Sequence, residues 1–292
     1  GGEAGEAAAS DARCDAEWGS LAGSSEVRAA LEESLVLPLR HPEVYSEVMR
    51  GTRRKEGEPP HARSILFEGP PGCGKTSTAR ILAKLLGRPF LVLPLESVVS
   101  KWYGEAERNL AAVFDAAAEM GESVIFMDEI DALATSRDAP GGMHEATRRS
   151  LSVLLRRLDG FDPNASTVLI AATNRPQDLD AALTSRFELA VRFPLPDAST
   201  REAILQLYAA HLPPADQRAL AAASDGASGR DLRDVCEAAE RKWAAKRVRQ
   251  EGATKGKALP PATEYSEALS QRRARGLLGA GGTAAQGPMN LA

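Results

Sequence analysis

Cysteine is scarce in this 292-residue chain, and Cys14, Cys73 and Cys236 are odd in number and widely separated. That excludes a disulfide framework and a thiolate metal site, and it points to a reducing compartment. No run of about 18 or more apolar residues occurs, which excludes a membrane-spanning helix. Charge of one sign is not in excess either: 36 basic against 40 acidic residues give a formal net charge of -4. The chain as a whole therefore exerts no field that would draw nucleic acid or an anionic membrane surface. An initiator Met and an apolar signal core are both missing from the first ten residues, and no internal repeat is visible. Cytoplasm is the expected compartment, with an organelle stroma or matrix as the alternative if a leader has been removed.

A hydrophobic share of 43% and a charged share of 26% are those of a folded globular protein. Residues 1–13 and 276–292 are rich in Gly and Ala without helical or strand period and read as flexible tails. Between them the short apolar runs Ile65–Phe67, Phe90–Leu95, Val124–Met127, Val168–Ala172 and Leu189–Phe193 alternate with helical stretches. That alternation predicts a doubly wound α/β domain over 14–194, built on a parallel five-stranded sheet. Beyond it no strand-like run remains. Ser199 with Glu202 reads as a capping box ahead of Ile204, Leu205, Tyr208 and Leu212 on one helical face, so 195–275 is expected to be a small α-helical lid domain.

Gly69-Pro70-Pro71-Gly72-Cys73-Gly74-Lys75-Thr76, followed by Ser77, fits the phosphate-binding loop G-x-x-x-x-G-K-[ST], with a strand before it and a helix after it. Glycines let successive N–H groups face a phosphate, and the helix N-terminus adds partial positive charge. Lys75 is expected on the β- and γ-phosphates and Thr76 on Mg²⁺. Downstream, the apolar Val124–Met127 ends in Asp128 and Glu129. Asp128, at the carboxyl edge of the sheet, suits a water of the Mg²⁺ ion, and Glu129 suits polarisation of the attacking water.

GPPGCGKT, IFMDEID and AATNRP (Ala171–Pro176) together resemble the AAA family of ring ATPases over roughly Trp18 to Arg273. The resemblance implies ATP and Mg²⁺ as cofactors, a homohexamer, and Asn174 as the sensor holding the attacking water. It implies that Arg186, in LDAALTSRFE, is a finger acting on the neighbouring subunit's nucleotide; Ser185 stands where many relatives carry a second Arg. Arg148 and Arg149 resemble an interface pair, and Asp159-Gly160-Phe161 a signalling turn between subunits. Trp18–Gly23 resembles the segment on the adenine, with Leu21 and Gly23 against the base. Two readings stand for Arg230: a sensor of its own subunit's γ-phosphate, as in ClpX-type unfoldases, or a partner in a helix-start salt bridge with Asp231 and Arg233.

Lys101-Trp102-Tyr103 resembles the first pore loop of the family's protein translocases, with Trp102 gripping an extended polypeptide and Lys101 and Tyr103 flanking it. A core aromatic anchoring the loop is the other reading. The nearest likeness is to the clade of katanin, spastin and the ESCRT-disassembling ATPases, which implies ATP hydrolysis coupled to remodelling, unfolding or threading of a protein. Two other classes compete. A nucleic-acid loader would need the basic clusters Arg53-Arg54-Lys55, Lys242–Arg249 and Arg272–Arg275, but acids or Ala interrupt each of them as on a solvated helix face. An ATP-dependent switch or adaptor would be expected to lack Glu129.

Overall fold

The computed structural model describes residues 17–19, 21, 25–53, 60–93, 105–134, 151–156, 158, 167–251 and 258–278. Five strands form one parallel sheet: β1 (Ser64–Glu68), β2 (Phe90–Leu93), β3 (Val124–Met127), β4 (Val168–Thr173) and β5 (Leu189–Arg192), in the order β2-β3-β4-β1-β5. The three central strands are buried along nearly their whole length, whereas the edge strands β2 and β5 are only partly covered. A strand buried on both faces has no polar side to show. Hence SILFE, VIFM and VLIAAT read as continuous apolar runs rather than as alternation.

Around the sheet lie the helices α1 (Ser25–Leu31), α2 (Pro42–Thr52), α3 (Lys75–Leu85) and α4 (Glu105–Met120) and the single turn α5 (Ala181–Thr184). On one face Leu66, Ile125, Met127, Leu169 and Ala171 pack with Phe114 and Ala117 of α4 and with Leu151, Leu154, Leu179 and Leu183. Phe67 of β1 and Phe193, just after β5, meet at 4.8 Å between ring centroids, and Phe90 stacks on Phe126 at 5.7 Å.

The described residues divide into two compact units. The sheet unit takes in Ser25–Gly69 and Lys75–Phe193, and the helical unit takes in Pro194 onward together with Pro70–Gly74 and the segment containing Leu21. In the helical unit α6 (Ala198–Tyr208), α7 (Pro214–Ala223), α8 (Gly229–Glu251) and α9 (Ala262–Ala274) bury Leu205, Leu212, Leu220, Val235, Cys236, Tyr265 and Leu269 together. Burial pushes the Cys236 thiol up to about 12, so it acts as a core residue and not as a nucleophile.

One local expectation needs correction. The cap of α6 is Asp197, which accepts from Thr200 N at 2.7 Å; Ser199 lies inside the first turn and donates its hydroxyl to the same carboxylate. The carboxylate one residue before the helix meets the exposed first-turn N–H groups and outcompetes a hydroxyl already committed to helical geometry. A buried arginine then ties this unit together. Arg201 donates through Nε to Ala221 O and through Nη1 to Pro196 O, both at 2.8 Å, and reaches Asp225 at 3.2 Å. It thereby satisfies a carbonyl in the last turn of α7 that the helix cannot satisfy itself.

Candidate active site

Parallel pairing carries three motifs to one edge of the sheet. Met127 is level with Ala171 on β4, and Glu68 on β1 is level with Thr173. The residues that follow, Asp128, Asn174 and Gly69, therefore emerge together at the carboxyl edge, where open α/β sheets bind ligands.

The bonds at this edge connect all three strands. Lys75 is the first residue of α3 and is 6% exposed; its ammonium donates to Gly69 O at 2.6 Å and to Asn174 Oδ1 at 2.8 Å. The helix N-terminus beside this ammonium adds partial positive charge, which suits the place to an anion. Thr76 donates its hydroxyl to Asp128 Oδ2 at 2.9 Å, and Asp128 Oδ1 accepts from Glu129 N at 3.0 Å. These are hard oxygen donors of the kind that Mg²⁺ takes from a protein alongside phosphate oxygens and water, so the pair fits that ion. Glu129 is exposed, and with φ at 54° it is the one described non-glycine residue in the left-handed region. Its carboxylate leaves the strand end at an angle the extended backbone would not give, a strain of the kind found at functional positions.

Gly69 begins the turn after β1 with φ at 147°, and a Cβ there would lie 2.1 Å from Phe193 O. Only glycine fits this approach of two backbones. The middle of the turn, Pro70–Gly74, belongs to the helical unit. There Gly72 accepts from Arg230 N at 3.1 Å, and a Cβ on Gly72 would meet Ser228 Oγ at 2.7 Å and Arg230 Cβ at 2.8 Å. Leu21 lies against Gly74, with Cδ1 3.5 Å from where a Cβ would stand.

Asp231 is not paired with Arg230. Its carboxylate accepts from Ser228 N and Oγ at 2.9 and 2.8 Å and from Arg272 Nη2 at 2.7 Å. Burial pushes this carboxyl upward, but the bonds from Arg272 and Ser228 outweigh it and hold the group below its ordinary value. Arg233 pairs with Asp234 and Glu237. The helix-start salt bridge is therefore made by Arg272 of α9, and Arg230 is exposed beside the phosphate-loop glycine.

Arg186 stands elsewhere. Leu189 is level with Ile65, so Arg186 lies beyond the amino ends of the strands, at the edge opposite Gly69. Five residue steps of strand lead from Ser64 to Gly69, about 16 Å at the usual rise. The backbone around Arg186 is fixed: Ser64 Oγ donates to Arg186 O at 2.9 Å, and Arg63 donates to Glu188 through its backbone N at 2.8 Å and its Nη2 at 3.0 Å. The guanidinium itself is exposed and reaches Ser185 Oγ at 3.2 Å. Ser77 is exposed on the first turn of α3. Gly23, Lys101, Trp102, Tyr103, Arg148, Arg149 and 159–161 lie outside the described residues.

Two residues of this edge were not singled out from the sequence: Asp131 and Thr173, whose side chains bond to each other at 2.9 Å. The available signal was adjacency, since one closes IFMDEID and the other precedes Asn174.

Comparison with known proteins bears on this geometry. The model of the ATPase family associated with various cellular activities (AAA) matches residues 65–195. Proteasome-activating nucleotidase of Pyrococcus horikoshii is 38% identical over 228 residues, covering 76% of this chain and 55% of the relative. Katanin p60 ATPase-containing subunit A1 of Strongylocentrotus purpuratus is 37% identical over 229 residues, 75% of this chain and 42% of the relative. The chain thus spans about half the length of the curated relatives it matches. Among solved structures, the FIGL-1 AAA domain superposes with a TM-score of 0.70 at 31% identity, over 87% of this chain and 82% of that one. The same domain in complex with ADP gives a TM-score of 0.69 at 28% identity, over 87% and 86%.

Proposed function

Because this chain belongs to the AAA family of ATPases, we propose that it binds Mg·ATP at the carboxyl edge of its sheet, hydrolyses it, and couples hydrolysis to the remodelling, unfolding or threading of a protein. The observation that carries the reading is the placement of Lys75 between Gly69 O and Asn174 Oδ1, beside a Thr76 hydroxyl bonded to Asp128. In phosphoryl transfer the protein contributes position and charge rather than covalent chemistry. Lys75 neutralises the β- and γ-phosphates, the backbone N–H groups of the Gly69–Thr76 turn receive their oxygens, and Asn174 and Glu129 orient the attacking water. Glu129 accepts that water's proton as it attacks. Thr76 and Asp128 would hold Mg²⁺, which would supply neutralisation of the phosphate charge. Leu21, beside Gly74, together with Gly23, serves the adenine, and Arg230 serves the γ-phosphate.

Glu129→Gln removes the proton acceptor while sparing every phosphate and metal ligand. It should bind Mg·ATP within about twofold of wild type and lose about 10²-fold or more in turnover. Equilibrium binding of a fluorescent ATP analogue alongside steady-state hydrolysis separates the two effects. Turnover near wild type would remove Glu129 from its role.

The position of Arg186, at the edge of the sheet opposite Gly69, supports a reading in which it acts on the nucleotide of a neighbouring copy in a homohexamer. The protein-remodelling part rests on the katanin-like motifs and on Lys101-Trp102-Tyr103 as a pore loop. Trp102→Ala should bring the ratio of polypeptide-stimulated to basal ATPase rate close to one with an unfolded casein probe. An unchanged ratio contradicts the pore-loop reading, and stimulation of wild type by DNA or RNA with a steep salt dependence supports the loader class instead.

A further inference from the structure

Thr173 is the last residue of β4 and is wholly buried. Its hydroxyl donates to Asp131 Oδ1 at 2.9 Å and accepts from Arg175 N at 3.0 Å. Its carbonyl accepts from Gly69 N at 3.2 Å, the first residue of the phosphate-binding turn. One residue before it, Ala172 O accepts from Ile130 N at 3.0 Å. Between Thr173 and Arg175 stands Asn174, whose carboxamide oxygen takes the Lys75 ammonium at 2.8 Å. So Asn174 sits in a backbone step pinned on both sides, and a single hydroxyl joins the segment after β3 to the step after β4.

We infer that Thr173, acting with Asp131, is the positioning residue that aims the Asn174 carboxamide. The inference rests on the proposed role of Asn174 at the γ-phosphate and the attacking water. The physical reason is the geometry of a strand end. Beyond β4 the ladder no longer fixes the backbone, and the Arg175 N–H needs an acceptor as the chain turns away. A threonine hydroxyl is both donor and acceptor, and it closes this turn when an oxygen acceptor draws its proton outward. Asp131 does so from the segment that also carries Asp128 and Glu129. The metal-binding acid, the water-polarising acid and the Asn174 carboxamide are thereby held in one frame. Without the hydroxyl the frame loses its tie at Asn174, and a misplacement of about 1 Å at a reacting centre costs up to about 10²-fold in rate.

The test measures kcat, the Kd for a fluorescent non-hydrolysable ATP analogue and thermal melting in the full chain. Thr173→Val keeps the shape and removes the hydroxyl. It should lower kcat by about tenfold to 10²-fold with the analogue's Kd within about threefold of wild type, and Thr173→Ser should recover most of the loss. Combined with Asn174→Ala, Thr173→Val should cost no more than Asn174→Ala alone, because residues acting through one group are not additive. A kcat for Thr173→Val within twofold of wild type overturns the inference. So does a double variant in which the two losses multiply, which is what a merely structural defect gives. If Asn174→Ala itself keeps wild-type kcat, the role assigned to Asn174 fails first and is recognised as such without Thr173. Should Thr173→Val not fold, Asp131→Ala against Asp131→Asn carries the same comparison, since asparagine still accepts the Thr173 proton and alanine cannot; equal kcat for these two overturns it.

Discussion

Arg186→Ala subunits should bind ATP nearly as wild type does and hydrolyse it about 10³-fold more slowly, the loss that removal of an arginine finger causes in other phosphoryl-transfer sites. The substitution is locally mild. The guanidinium is exposed, and the backbone of its segment is held by Ser64 and by the Arg63–Glu188 pair whatever stands at 186. What is lost is a cation against the charge developing on the transferred phosphoryl group. Because Arg186 emerges at the amino edge of the sheet and Gly69 at the carboxyl edge, the proposed finger would serve the phosphates of another copy. Mixing is therefore the sharp measurement. Lys75→Ala subunits keep the finger and lack the site, and Arg186→Ala subunits keep the site and lack the finger. Neither should be active alone, yet co-assembled rings should recover part of the activity wherever an intact finger faces an intact site. No recovery at any ratio, with co-assembly verified, would falsify the shared site.

Lys75→Ala should abolish saturable ATP binding in the range where wild type binds, a weakening of about 10²- to 10³-fold or more. That corresponds to about 3 to 4 kcal/mol, the scale of a charge-assisted contact removed from a buried position. The ammonium is 6% exposed and lies at the first turn of α3, so its attraction for phosphate is little screened by water. Its loss leaves Gly69 O and Asn174 Oδ1, two acceptors, facing the phosphates. Isothermal calorimetry with Mg·ATP measures the effect, and thermal melting shows that the fold survives. A variant that binds Mg·ATP within about tenfold of wild type would place the triphosphate elsewhere.

The sequence alone determined the five-stranded parallel sheet and carried the pattern on which the proposed phosphate site rests. Continuous apolar runs separated by helical stretches leave few alternatives to a parallel sheet covered on both faces, and GPPGCGKT and MDE each need one strand end with one turn to be recognisable. Each of these patterns is carried by residues close along the chain, although the pairing that follows from it is not. Even the small helical unit was visible, through the loss of strand-like runs after Phe193. Local pattern was weaker where two near-equivalent groups compete: Ser199 with Glu202 fits a capping box, but Asp197 has the position and the charge.

Tertiary structure decided which distant residues share a bond. Lys75 on Asn174 is a contact across 99 positions, and Arg272 on Asp231 crosses 41. Pairing across such separations depends on strand order and register, which the sequence of any one strand does not encode. That is why Arg230 and Asp231 look like neighbours in a salt bridge and are not, why Thr173 and Asp131 looked like filler beside better-known motif residues, and why the edge on which Arg186 emerges was visible only once β5 was found beside β1 and parallel to it. Chemistry that a short segment carries is legible in its letters; chemistry assembled from three strand ends exists only once the hydrogen-bond ladder has set them level.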